Sequence, residues 1–182
     1  MKKWFMILAG AGIVLLFPDC KKVAAVVFGG TDVNTPTISD TIPLIPYALP
    51  AELRLGQYSF PFNLDSNVRA NTAGVFGAAS VNSIKLKQLV FQISNGDTAN
   101  NIGNLETARI ELTSNADPTP AEILNTTLPD SVAYKFTYSP SSTPELLPYA
   151  KGTQITYTIY GKVRRVTTKP LLFSVYAVLK AD

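Results

Sequence analysis

The residues that could carry chemistry are few. The chain has 182 residues, no histidine and a single cysteine, Cys20. A serine or cysteine nucleophile paired with a histidine base is therefore excluded. Zinc and copper sites draw on His or on several Cys, and neither pool is present. What remains is 13 carboxylates. Asp65, Asp97, Asp117 and Asp130 fall in predicted loops, where two acids at a defined separation can hydrolyse a glycosidic bond. No spacing pairs any two of them, and Asp and Asn are also the residues that turns demand. The structural reading is preferred, and no catalytic residue is expected.

Asn95, Asp97, Asn100 and Asn101 could offer oxygens to a hard cation within one loop. Calcium takes roughly six to eight oxygen ligands, several of them charged, and only Asp97 is charged here, so no metal and no cofactor is expected. Gly74 and Gly77 flank Val75-Phe76 without opening a predicted helix, so no phosphate-binding loop is read from them. Among the tyrosines, Tyr134 and Tyr138 share the phase of Val132 and Phe136 and are assigned to the core. Tyr157 goes inward with Ile155 and Ile159, which turns Tyr160 outward. Tyr160 with Arg164 and Arg165 is the one patch to name as a candidate binding surface, since an exposed tyrosine beside cations suits a sugar ring or a partner protein.

Cys20 has a chemistry of its own. Met1-Lys2-Lys3 is a positive start, and Trp4 to Phe17 is an uncharged, largely apolar run of 14 residues. A membrane-spanning helix needs about 20 residues, whereas this length suits the apolar region of an export signal. A sole cysteine directly after such a run reads as the acylation site of a bacterial lipoprotein, with residues 1–19 as the signal peptide. Several acyl chains on one residue make a firm membrane anchor, because each buried CH₂ contributes about 0.8 kcal/mol. Asp19 departs from the small residue usual before such a cysteine. The competing reading is an ordinary export signal or an uncleaved anchor with an incidental cysteine.

The net charge is +3, without the clustered Lys and Arg that nucleic acid requires. No nucleic-acid partner is expected. Residues 20–50 are read as a lipid-anchored, Pro-rich tether, since Pro36, Pro43, Pro46 and Pro50 favour extended chain. A loop packed across the domain is the other reading, given Ile42, Leu44, Ile45 and Tyr47.

Residues 51–182 read as an all-β domain. Tyr58, Phe60, Phe62 and Leu64 alternate with small or polar residues, and Pro61 demotes that run to an edge strand or a bulge. Residues 66–80 read as a long loop. Ile84 and Leu86 lie on one phase, and Leu89, Phe91 and Ile93 on the other, which predicts a β-bulge or a strand crossing between sheets. Further strands are expected around Ala108–Leu112, Val132–Tyr138, Ile155–Ile159 and Leu171–Lys180, the last apolar on both phases and therefore central. Helical turns are allowed at Ala121–Leu124 and Glu145–Tyr149. About seven strands at this spacing predict an immunoglobulin-like antiparallel β-sandwich, with a small barrel as the alternative.

The stretches Tyr58-Ser-Phe-Pro-Phe, Ser83-Ile-Lys-Leu-Lys-Gln-Leu, Leu105 with Ala108-Arg-Ile-Glu-Leu, and Glu145-Leu-Leu-Pro-Tyr carry a resemblance. Together they make the chain similar to uncharacterised Bacteroidetes-type lipoproteins with an immunoglobulin-like sandwich domain. The resemblance implies an exported protein anchored by lipid to the cell envelope, at the outer membrane, and it implies no activity. The expected function is a tethered binding or structural module without catalysis, attached to the membrane and acting with an envelope protein partner or an unknown ligand. A carboxylate-dependent carbohydrate-active enzyme is the alternative.

Overall fold

The computed structural model describes residues 27–48 and 51–182; Cys20 and the expected signal peptide lie outside them. Nine strands form: β1 (Thr31–Asn34), β2 (Ile38–Ile42), β3 (Leu53–Pro61), β4 (Ile84–Ile93), β5 (Leu105–Ser114), β6 (Ala121–Thr127), β7 (Lys135–Tyr138), β8 (Gln154–Val163) and β9 (Leu171–Ala181). Two helices, α1 (Leu64–Asn71) and α2 (Leu147–Ala150), sit in the connections.

Strict alternation builds the central strands. Ile155, Tyr157, Ile159 and Val163 of β8 are buried, while Thr156, Thr158 and Tyr160 are partly exposed between them. In β9 the phase Leu171, Phe173, Val175, Ala177, Leu179 and Ala181 is buried throughout. Each buried Leu, Val or Phe of this phase contributes about 1.5–3 kcal/mol when withdrawn from water. Phe91 stacks on Phe173 at 5.6 Å, and Tyr58 meets the other side of that cluster edge-on at 5.4 Å. The change of phase in β4 is a bulge between Leu86 and Gln88 against β9, as the sequence predicted. β3, with Pro61 as its last residue, lies at a sheet edge.

All pairings are antiparallel, in two sheets. One has the order β1-β9-β4-β7, with β2 also on β9, and the other has β3-β8-β5-β6. The expected antiparallel sandwich is therefore what folds, with nine strands in place of about seven. Every connection except β1→β2 and β5→β6 runs from one sheet to the other. That is the double Greek key of a jelly roll, which differs from the immunoglobulin order of ABED facing CFG.

Three local expectations are corrected. The tether does not extend to residue 50. β1 and β2 run along β9 as one interrupted edge strand, with Val33 and Ile42 in the core. In the break between them the Thr35 N–H donates to Ala177 O, and the Ala177 N–H donates to Thr35 Oγ1, both at 2.9 Å. Pro36 falls in that break, and Pro43 follows β2, so no proline has to donate within the ladder. The loop expected over 66–80 contains α1, started by Asn63, whose side chain accepts from the Ser66 N–H at 2.9 Å. An Asp65–Arg69 pair one turn apart adds to it. Ala121–Leu124 is strand, not a helical turn, because its backbone pairs with β5. The helical turn expected at Glu145–Tyr149 is α2.

The register fixes which connections share an end. Ile42 pairs with Leu171, Ile93 with Phe173, Leu53 with Gly161 and Leu105 with Val163. Hence the loops 43–52, 94–104, 128–134 and 164–170 gather at one end of the sandwich. The connections 62–83, 115–120 and 139–153 close the other, where the chain enters beside Asp182. Gly30 is needed there: its φ is +82°, and a Cβ would collide with Asp182 and the Ala181 carbonyl.

Candidate functional site

The four-loop end is held by polar side chains that reach from loop to loop. Asn100, Asn101 and Asn104 are buried. Asn104 Nδ2 donates to the carbonyls of Ala99 and Val166 at 2.9 and 2.7 Å. Asn100 Oδ1 accepts from the Thr168 N–H at 2.7 Å. The Ile45 N–H donates to Thr167 Oγ1, and the Thr167 N–H donates back to Ile45 O, both at 3.0 Å. Buried polar groups satisfied in this way rigidify what they join.

The predicted site residues fall into this framework. Arg164 donates to the carbonyls of Gly103, Pro129 and Leu128, and Arg165 to Gly103 O at 2.8 Å. Both arginines also pair with Asp130. Tyr160 faces outward on β8 as predicted, but its ring is covered by the Arg109 guanidinium, 3.9 Å from the centroid. Arg109 is in turn held by Glu52 at 2.7 Å and by Glu111, which raises its already high pKa further. None of the hydrogen bonds or ion pairs that the structure gives Arg164 and Arg165 reaches Tyr160.

Nor does it join the four acids. Asp97 and Asp130 lie at the four-loop end, while Asp65 and Asp117 lie at the other. Asp65 binds Arg69 and the Ala78 N–H, and Asp117 accepts from the Thr119 N–H. Among the described residues no three acids cluster in a way that would hold a metal. The proposed calcium ligands are engaged within the protein. Asn95 bridges Pro170 O and the Leu172 N–H, and the Lys169 ammonium lies 2.7 Å from Asp97. That contact, with bonds from Asn100 and the Ala99 N–H, brings the Asp97 pKa down to about 2. Gly74 and Gly77 follow α1, and a Cβ at Gly77 would meet the carboxylate of Asp65 in that helix's first turn.

The end presents a mixed surface to solvent, with apolar side chains standing beside the exposed ion pairs Asp130–Arg165 and Asp97–Lys169. The described residues include eight exposed large hydrophobic side chains: Val27, Leu44, Tyr47, Val75, Val132, Tyr134, Val166 and Leu172. Six of these, from Leu44, Tyr47, Val132 and Tyr134 to Val166 and Leu172, stand on the four loops or at the first turn of β9, between 42% and 61% exposed. Leu44 and Tyr47 border a groove of about 330 Å³ whose floor is Ile42, Ile45, Leu53 and Leu55. The sequence reading assigned Val132 and Tyr134 to the core by phase. Their strand begins only at Lys135, and Tyr134 instead leans on Gly96. Proline-flanked apolar residues in a loop, such as Pro43-Leu44 and Pro46-Tyr47, were the signal available for the rest. Between the sheets, the apolar void bordered by Phe91, Ile110 and Phe136 is about 10 Å³, too small for a ligand.

No protein-family model matches the chain, and no curated protein does. Solved structures match it distantly. A family 32 carbohydrate-binding module from C. perfringens NanJ, in complex with galactose, aligns at TM-score 0.35 and 10% identity, over 80% of this chain and 99% of that one. The decameric BFDV capsid protein aligns at TM-score 0.32 and 7% identity, over 84% and 98%. At this distance neither bears on ligand or partner.

Proposed function

We propose that the protein is a lipid-anchored binding module of the cell envelope, without catalysis, that presents its four-loop end to a protein partner. The observation that carries this reading is the gathering on that end of six of the eight exposed large hydrophobic side chains among the described residues. Isolated exposed hydrophobics are ordinary, whereas a group on a rigid rim is how protein interfaces are built. The loops beneath are already ordered by Asn100, Asn104 and the two arginines, so binding would cost little loop entropy. The anchor is Cys20, in keeping with the resemblance to exported lipoproteins, and the location is the outer membrane.

Two measurements test this. Intact mass of the membrane-extracted protein should show a chain beginning at Cys20 with acyl mass, lost in Cys20→Ala. Native-gel migration of the detergent-extracted protein should show a complex larger than the monomer, dissolved by Val132→Asp with Val166→Asp. A monomer in both forms would rule out the docking role, and an unacylated chain the anchor.

A further inference from the structure

The structure places the folded domain much closer to residue 20 than a tether ending at residue 50 would. β1 begins at Thr31, and before it Phe28 already packs on Phe76 with ring centroids 5.2 Å apart. Val27 is seven residues beyond Cys20, a span of at most about 25 Å even if fully extended. The chain enters at the end opposite the four loops, because Thr31 pairs with Ala181 at the finish of β9. β9 has 11 residues, so the two ends lie about 35 Å apart.

Among the described residues, the two exposed large hydrophobic side chains that are not at the four-loop end are Val27 and Val75, 82% and 61% exposed. Val75 stands in the connection after α1, next to the Phe76 that receives Phe28. We infer that this end of the sandwich, through Val27 and Val75, rests on the bilayer that holds the acyl chains, so that the four-loop end points away from that membrane. The inference rests on the lipid-anchor reading above. Its occupant is set by reach: a lipid surface within about 25 Å of Val27 lies within the length of one domain end. Lys21 and Lys22, between anchor and domain, add attraction for anionic headgroups. An apolar side chain beside a bilayer to which the protein is already attached needs little further affinity to stay there, because attachment makes the contact intramolecular.

The test uses the full chain reconstituted in phosphatidylcholine and phosphatidylglycerol vesicles with brominated acyl chains. Because acylation consumes the Cys20 thiol, Val75→Cys and Val132→Cys each supply the single site for a fluorescent label, and intact mass reports the acylation. The expected result is loss of fluorescence by bromine quenching at position 75 and none at position 132. An acylated protein without quenching at 75, or with quenching at 132, overturns this orientation while the anchor stands. An unacylated Cys20 overturns the anchor reading and the orientation with it.

Discussion

Phe28 meets Phe76 edge to face, with the ring planes at 61°. The contact ties the entering chain to the connection between β3 and β4, and so fixes the point where any anchoring segment must end. It also relates two features that the sequence keeps 48 positions apart: the start of the fold and the turn carrying Val75. Removing one ring tests how firmly the entry is held. Phe76→Ala should destabilise the domain by about 1–2 kcal/mol, from lost burial and the lost aromatic pair. Urea unfolding should show a lower midpoint with an unchanged slope.

The edge formed by β1 and β2 gives a sharper contrast. Ile42 is 1% exposed, two residues before Leu44 on the solvent side. Ile42→Ala should cost about 2–5 kcal/mol, while Leu44→Ala should stay within about 0.5 kcal/mol. Amide exchange should find Thr35 and Ala177 protected, since each N–H donates across the break. Equal small effects at 42 and 44, with fast exchange at Thr35, would mean a loose tether.

Tyr157 is buried completely, and its hydroxyl has no hydrogen-bond partner among the described residues. Burial pushes its pKa up to about 12, with the nearby Thr35 hydroxyl opposing the rise. Leaving a buried hydroxyl unpaired is costly. Tyr157→Phe should therefore leave stability unchanged or raise it by up to about 1 kcal/mol, read from the thermal midpoint. A marked loss would show that the hydroxyl is bonded.

Acid should loosen the four-loop end. The Asp97 carboxyl falls from an ordinary 3.8 to about 2 in the folded protein, first through the bond from Lys169 and then through Asn100. A depressed carboxylate pKa contributes stability above the unfolded value, and that contribution is lost as pH falls through the folded one. The loss should therefore span pH 4 to 2. Asp97→Asn should flatten this part of the stability profile and leave the region above pH 5 sloped as before. The amide signals of Ala99 and Thr168 should report the change in the wild type.

Much of the fold was legible wherever a period of two was unbroken or broken cleanly. The change of phase from Leu86 to Leu89 marked the bulge in β4, Pro61 marked an edge, and Ile155 to Tyr160 gave both the inward and the outward tyrosine. Prolines concealed β1 and β2, because what excuses Pro36 is its place in a break beside β9, a tertiary fact. The caps of α1 were present as Asn63, Asp65 and Arg69, but Asn, Gly and Ala around them read as loop. Tyr134 kept the phase of Phe136 and still faced solvent, since periodicity says nothing of where a strand starts. Arg164 and Arg165 looked free because their carbonyl partners, Gly103, Leu128 and Pro129, lie on other loops. The strand order, and with it the jelly roll, was not in the pattern of any single strand.

The most direct measurement of the central claim is site-resolved photo-crosslinking in the producing cells, with a photoreactive residue placed at Val132, at Val166 and at Thr113. The first two stand on the four-loop rim, and Thr113 lies on the outer face of β5 near the opposite end. A discrete crosslinked species, the same from 132 and 166 and absent from 113, is the result expected of a docking end. Crosslinks from 113 alone, or none from the rim, would contradict it.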